Sequence, residues 1–349
     1  MRGVGIAVVL LLLFGCGQPP QEKPKEPAPE GQPNNEEQKE EQPKDIKDLK
    51  LWGVSAGWSA SVRPPGAPPG FYPTDISALK KELRKYLTAA TPQKPGGKIL
   101  GIVSPHAGFL YCWRTAAYAY KLLIGKKFDT VLILSTAHSG ITSVCDTAFY
   151  NMPWGDVPVA TDVVKALIKS GKFRYVPTAH EREHGIETQL PFLCFVMSNF
   201  KIVPVVVGAD ADGREKALAQ ALLDATKGRN VLVVVSTDLT HFPDHKTAKK
   251  VEDEFLEVVK TLDIGKIKEA AARLVKNNAA NGVECVACGL EALCIAVEYL
   301  KARGAKKFLV LHHADSYENM KALPKKERYG TKPKESRVVG YASCIFVGD

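Results

Sequence analysis

Six short apolar, β-branched runs recur along the chain, at residues 99–103, 130–134, 202–207, 231–235, 308–311 and 338–347. Runs of this length and composition read as buried strands. Between and beside them, residues 75–87, 113–123, 161–168, 183–197, 214–225, 247–262, 267–275 and 288–300 repeat apolar positions at helical spacing. Strands that alternate with helices predict an α/β fold: a central, largely parallel or mixed sheet with helices on both faces. No second linker interrupts the pattern, so residues 51–349 are expected to form a single domain. In such sheets ligands collect where strands end and helices begin.

The first fifty residues follow a different pattern. Met1-Arg2 is a positive start, residues 6–14 are an unbroken apolar run, and Leu13-Phe14-Gly15-Cys16 places a small residue before a cysteine. This is the layout of a signal peptide, and Leu-x-Gly-Cys resembles a bacterial lipobox. Residues 1–16 are therefore expected to be a lipoprotein signal. A lipidated Cys16 would then hold the protein at the cell envelope, outside the cytoplasm. Residues 17–50 are rich in Pro, Glu, Gln and Lys, the composition of a disordered tether. No later stretch approaches the roughly 20 apolar residues that a membrane span requires.

Charge sharpens this picture. The whole chain carries +9, but residues 17–50 hold nine acids against six lysines. With Arg2 also set aside, residues 51–349 carry about +11. Residues 321–337 alone hold seven lysines and arginines against two glutamates. Anionic lipid headgroups are one partner for such a segment, and a solvated loop is the simpler reading. No nucleic-acid-binding motif accompanies the basic residues, so nucleic acid is not expected.

Four polar clusters follow apolar runs or open a helix. Ser104-Pro105-His106-Ala107-Gly108 and Ser135-Thr136-Ala137-His138-Ser139-Gly140 each put a histidine just beyond a strand. Ser236-Thr237-Asp238-Leu239-Thr240-His241 pairs an acid with a histidine three residues on. There the carboxylate can orient the imidazole for proton transfer, or Asp238 can simply cap a turn. Cys285-Val286-Ala287-Cys288-Gly289 lies at the start of a predicted helix, and a helix N-terminus lowers a thiol's pKa. Two imidazoles and a thiolate suit iron, copper or zinc rather than magnesium or calcium. A small buried cysteine is the bland alternative for Cys288.

Two further spacings compete. His180-Glu181-Arg182-Glu183-His184 matches His-Glu-x-x-His, which on a helix places two zinc ligands one turn apart beside a general base, as in a zinc metallopeptidase. Pro177 upstream and Gly185 immediately after point instead to a helix that begins within the motif, so the histidines need not share a face. Cys285 and Cys288 also spell Cys-x-x-Cys, but without the strand and aromatic flank of a thioredoxin-like site. The chain has no nucleophile elbow, phosphate loop or dinucleotide fingerprint.

Several stretches together resemble the Memo family, which includes the AmmeMemoRadiSam system protein B. They are Val62-Arg63-Pro64, Gly70-Phe71-Tyr72-Pro73, Pro105-His106-Ala107-Gly108, His180 through Leu193, Ser236 through His241, Cys288-Gly289 and Val338-Val339-Gly340-Tyr341-Ala342. The resemblance implies a fold like that of the class III extradiol dioxygenases, with the carboxylate ligand of those enzymes replaced by cysteine. It implies His106, His138 and Cys288 as metal ligands, His241 as acid/base with Asp238 beside it, and His180, His184 and Glu187 as secondary pocket residues. Iron(II) is the foremost metal, with copper or zinc as alternatives.

The resulting expectation is a redox metalloprotein or oxygen-dependent oxidoreductase acting on an unidentified small molecule. A non-catalytic metal-binding or partner-binding module is the alternative. The resemblance also implies radical-SAM and AMMECR-type proteins as system partners.

Overall fold

The apolar runs become strands because their neighbours bury them on both sides. In chain order the strands are β1 (Val62–Arg63), β2 (Lys98–Ser104), β3 (Thr130–Thr136), β4 (Ser143–Val144), β5 (Phe149–Met152), β6 (Gly155–Pro158), β7 (Lys201–Val207), β8 (Val231–Ser236), β9 (Lys307–Asp315) and β10 (Gly340–Gly348). The helices are α1 (Ile76–Ala89), α2 (Phe109–Lys121), α3 (Thr161–Lys169), α4 (Thr178–Glu181), α5 (Leu190–Val196), α6 (Glu215–Ala225), α7 (His245–Val259), α8 (Ile264–Asn278), α9 (Leu290–Ala302) and α10 (Ser316–Ala322). The structure is a computed structural model and describes residues 45–57 and 59–349. The expected signal at 1–16 and most of the tether lie outside the described residues.

Seven strands form one sheet in the order β4-β7-β3-β8-β2-β10-β9. Strands β7, β3, β8 and β2 are parallel, and β10 runs antiparallel between β2 and β9. Every residue of β3 and β8 is buried, as expected of parallel strands with helices over both faces. Helices α1, α2, α5 and α10 pack together as one group, and α6, α8 and α9 as another, with α7 against α8 and β9. Aspartates 75, 244, 263 and 315 accept backbone N–H groups at the starts of α1, α7, α8 and α10, the usual means of satisfying a first turn.

The register matters for function. Ser104 of β2 and Ser135 of β3 both lie beside Ser236 of β8, so three strand ends finish level. The loops carrying His106, His138 and Asp238 therefore leave the sheet at one edge.

Four expectations need revision. The helix predicted at 183–197 is regular only from Leu190, preceded by a single turn at Glu187–Gln189. The backbone before it lies close against the strand ends: a Cβ on Gly185 would overlap the Ser135 hydroxyl. Strand β9 does not stop at 311. It continues through His312 and His313, because alternation sends them to opposite faces, where His312 meets Thr115 and His313 meets Glu252.

A second, three-stranded sheet, β1-β5-β6, was not predicted. Its strands are two to four residues long and include Asn151, Gly155 and Pro158, so no apolar run marks them. Finally, the tether boundary at residue 50 falls inside ordered chain. Leu49 is fully buried, and Arg84 donates to the carbonyls of Ile46, Lys47 and Leu49.

Gly208, just after β7, sits against the backbone of Gly140 and Ile141, where an added Cβ would overlap. Gly208→Ala should force the β3 and β7 loops apart and lower stability by about 3 kcal/mol, read as a shift of the denaturant midpoint. A midpoint equal to wild type would contradict this packing.

Candidate metal centre

His106 is fixed from three directions. Its backbone N–H donates to Asp238 Oδ1 at 2.8 Å, and its ring Nδ1 lies 3.0 Å from Ser236 Oγ. The Ser236 hydroxyl donates to the Gly185 carbonyl at 2.6 Å and accepts from Gln189 Nε2 at 3.0 Å. Its single proton is thus already used, so Nδ1 of His106 is the donor and Nε2 keeps its lone pair. That Nε2 lies 3.4 Å from Cys288 Sγ.

His138 is oriented by Glu183, whose carboxylate oxygens lie 2.9 and 3.1 Å from its Nδ1 and also accept the His138 backbone N–H at 2.9 Å. Burial pushes the Glu183 carboxyl up, but the hydrogen bonds and charge of His138 outweigh it and hold the group at about 2. An ionised Glu183 accepts a hydrogen bond from the Nδ1–H of His138, which leaves the lone pair of the ring on Nε2. Carboxylates commonly orient metal-binding histidines this way.

His184 completes the group. Its ring stacks on His138 with centroids 5.0 Å apart and meets His106 edge-on at 5.5 Å. One ring nitrogen from each of His106, His138 and His184 lies within 4.8 Å of the others. Burial, aided by repulsion from His106, pulls the His184 imidazole down to about 4, so it is neutral and able to act as a ligand at neutral pH.

Cys288 enters from the segment before α9. Asp238 N–H points at its sulfur at 3.3 Å, and its own N–H donates to the Asp238 carbonyl at 3.2 Å. The expectation of a thiolate favoured by a helix N-terminus is corrected here. Burial, reinforced by the Asp238 carboxylate, pushes the Cys288 thiol up to about 12. The helix itself starts only at Leu290. Cys285 is likewise raised to about 12, mainly by burial, and both cysteines are free thiols.

His241 lies outside the three-imidazole group, and its buried Nε2 has no hydrogen-bond partner among the described residues. Burial lowers its basicity against the opposing pull of Asp238. A cavity of about 380 Å³ opens beside His138 and Cys288, bounded also by Gly208, Asp212 and Glu291.

The structure separates the two histidines of the His-Glu-x-x-His spacing. Helix α4 ends at Glu181, so His180 and His184 do not occupy successive turns of one helix, and the zinc-peptidase arrangement is not formed. His180 points elsewhere, with Nε2 2.9 Å from Ser143 Oγ. Glu187 is not a pocket residue either. Its fully buried carboxylate pairs with Arg63, accepts from Tyr72 Oη at 2.6 Å and accepts the Gly66 N–H at 2.7 Å. Arg63 in turn donates to the carbonyls of His180 and Glu183.

His184 was expected only as a secondary residue and Glu183 was not expected here; the signal for both is the second glutamate of the motif, directly beside a histidine.

The sequence pattern of the family described as "Memo-like protein" matches residues 63–344. A MEMO1 family protein of Archaeoglobus fulgidus is 29% identical over 291 residues, covering 82% of this chain and 99% of that protein. One of Methanobrevibacter smithii is 30% identical over 305 residues, covering 82% and 99%. One of Thermotoga neapolitana is 37% identical over 171 residues, covering 47% of this chain and 61% of its own length.

These comparisons correct the localisation. Archaeal relatives are matched over nearly their whole length without being named lipoproteins, and among the described residues no helix is long and apolar enough to cross a membrane. The reading of a signal peptide, a lipidated Cys16 and an envelope anchor is withdrawn on those grounds.

Two outcomes test this geometry. Glu187→Gln leaves Arg63 buried without an anion and should cost about 3 kcal/mol or more, measured by chemical denaturation; a change within about 0.5 kcal/mol, the range usual for exposed sites, would remove the pair's assigned importance. His180 is held down to about 4, first by burial and then by Arg63. The unfolded chain therefore takes up this proton first. The stability contributed by neutral His180 is complete above about pH 6.5 and is lost as pH falls towards 4, by roughly 2–3 kcal/mol. Denaturant midpoints recorded across that window should fall in wild type and fall less steeply in His180→Asn.

Proposed function

Because this chain belongs to the Memo-like protein family, we propose that it is a metal-binding protein whose ion is held by His106, His138 and Cys288, with His184 as a further imidazole donor. The observation that carries the reading is the convergence of three ring nitrogens within 4.8 Å, two of them on rings whose Nδ1 is engaged by Ser236 and Glu183. Such hydrogen bonding orients a ring for coordination before the ion arrives.

The donors fit a transition metal. Imidazoles and a thiol suit iron, copper or zinc, whereas magnesium and calcium prefer oxygen ligands. The Cys288 sulfur lies 3.4 Å from His106 Nε2, and a cation held there would displace the thiol proton to solvent, since coordinating thiols are deprotonated. When bound, such an ion supplies Lewis-acid or redox chemistry, and iron with oxygen is the reading we favour.

The protein's own residues define the rest of the mechanism. His241, neutral and with an unpartnered Nε2, can accept or release a proton at that atom. Asp238 holds the backbone of His106 and biases His241 electrostatically without bonding to it. The adjacent cavity of about 380 Å³ is within the usual range for a small-molecule site. A redox role and an oxygen-dependent reaction belong to the proposal. A metal-binding module without turnover is the outcome that replaces them if binding occurs without oxygen consumption.

The test is metal content after anaerobic purification, with titration of iron(II) and of cobalt(II) as a spectroscopic probe. We expect one ion per chain in wild type, loss of binding in His106→Ala and His138→Ala, and a changed cobalt-thiolate absorption in Cys288→Ser. Glu183→Gln should weaken binding by about 10- to 100-fold while leaving the ligands in place. Wild-type protein that takes up neither ion would end the proposal. Tight binding in His106→Ala would mean that the ion sits elsewhere.

A further inference from the structure

Two buried residues that hold no ion reach His106 by two routes. Gln189 ends the single turn before α5, and Tyr120 lies near the end of α2. Neither is more than 1% exposed. Gln189 Nε2 lies 3.0 Å from the Pro105 carbonyl and 3.0 Å from Ser236 Oγ, and the Tyr120 hydroxyl lies 2.6 Å from Gln189 Oε1. The Tyr120 ring stacks on Phe192 of α5 with centroids 4.9 Å apart, so packing between the two helices sets where the hydroxyl sits.

The direction of each bond follows from what the partners can do. A carbonyl only accepts, so the end of the Gln189 amide that faces Pro105 is its NH2 group. One proton goes to Pro105 and the other to Ser236. The opposite end is then the oxygen, and Tyr120 is its donor. Burial pushes the Tyr120 phenol up, which keeps that proton in place.

The Pro105 carbonyl and the His106 N–H belong to one peptide group. Gln189 holds its oxygen, and Asp238 holds its N–H at 2.8 Å. Ser236, engaged by the second amide proton, is also the partner of His106 Nδ1 at 3.0 Å. One amide thus fixes both the backbone and the ring of this histidine. Gln189 stands two residues after Glu187, on the segment that the Arg63 pair holds.

We propose that Gln189, anchored by Tyr120, is a positioning residue for His106 that sets the direction of its Nε2. The proposal rests on the metal-centre reading in taking Nε2 as a ligand atom, whereas the grip on the ring exists without an ion. Gln189 acts through Ser236 and the Pro105 peptide, and outer partners of this kind are typically worth about 10- to 100-fold in metal affinity.

The test compares full-length wild type with Gln189→Met, Tyr120→Phe and Tyr299→Phe. Methionine keeps the length of glutamine and removes its hydrogen bonds. Tyr299 lies on α9, with its hydroxyl 2.8 Å from Thr226 Oγ1, and controls for losing a buried phenol elsewhere. Cobalt(II) titration gives affinity. Proton NMR of metal-free protein with isotope-labelled histidine follows the Nδ1–H of His106, assigned by its absence in His106→Ala.

Gln189→Met should lower cobalt(II) affinity by about 10- to 100-fold, and the Nδ1–H signal, sharp in wild type, should broaden or exchange with solvent. Tyr120→Phe should move both readouts the same way by a smaller factor, which decides the matter if Gln189→Met does not fold. Tyr299→Phe should stay within about twofold of wild type, as expected of an independent site. A Gln189→Met affinity within about twofold of wild type, an equal fall in Tyr299→Phe, or a Tyr120→Phe protein unchanged in both readouts overturns the proposal. Wild type that binds no cobalt(II) while the Nδ1–H signal still depends on Gln189 refutes the metal-centre reading and leaves the grip on His106 standing. Metal binding with both readouts indifferent to Gln189 does the reverse.

Discussion

Arg63 and Glu187 meet in the interior, each almost wholly removed from water. Arg63 belongs to a two-residue strand of the small sheet, and Glu187 begins the turn that leads into α5. A charge pair at this depth is costly to desolvate and costlier still to break. Most polar atoms around it are used: Tyr72 and two backbone amides serve the carboxylate, and two carbonyls accept from Nη2 of the guanidinium, while its buried Nε has no partner among the described residues. Those carbonyls belong to His180 and Glu183. The pair therefore sets the path of residues 180–187, and with it the positions of Glu183 and His184.

From that path the orientation of the imidazoles follows. Glu183 can orient His138 only while its own backbone is held. Gly185 offers its carbonyl to Ser236 only because it lies close enough to the strand ends to exclude any side chain. Ser236, its proton spent on Gly185, can then only accept from His106. One chain of hydrogen bonds thus decides which nitrogen of His106 faces Cys288. The level strand ends supply the frame, since β2, β3 and β8 place their loops side by side before any side-chain bond forms.

The large sheet was legible because parallel strands buried on both faces leave unbroken apolar runs, as in Val231–Ser236 and Thr130–Thr136. That the loops carrying His106, His138 and Asp238 leave the sheet at one edge was legible for the same reason. The small sheet was not, because β1, β5 and β6 are too short for periodicity to register. His184 and Glu183 were obscured by a motif whose familiar helical meaning belongs to another architecture. Only the tertiary placement of Arg63, more than a hundred residues upstream, reveals the different path. The ionisation of Cys288 was misjudged because proximity to a helix start is a local signal, whereas burial beside Asp238 is produced by the whole fold.

That last difference bears on how the centre works. At neutral pH two of the candidate donors carry no charge, since His184 is held near 4 and the Cys288 thiol near 12, while Glu183 behind them stays ionised. One ring nitrogen from each of His106, His138 and His184 converges within 4.8 Å of the others, and the fixed anion behind His138 favours a cation in front of it. In the proposed site an entering cation would release the Cys288 thiol proton, which would tie affinity to pH. Selectivity would then rest on how strongly each metal competes with a proton for a sulfur that the protein has made basic.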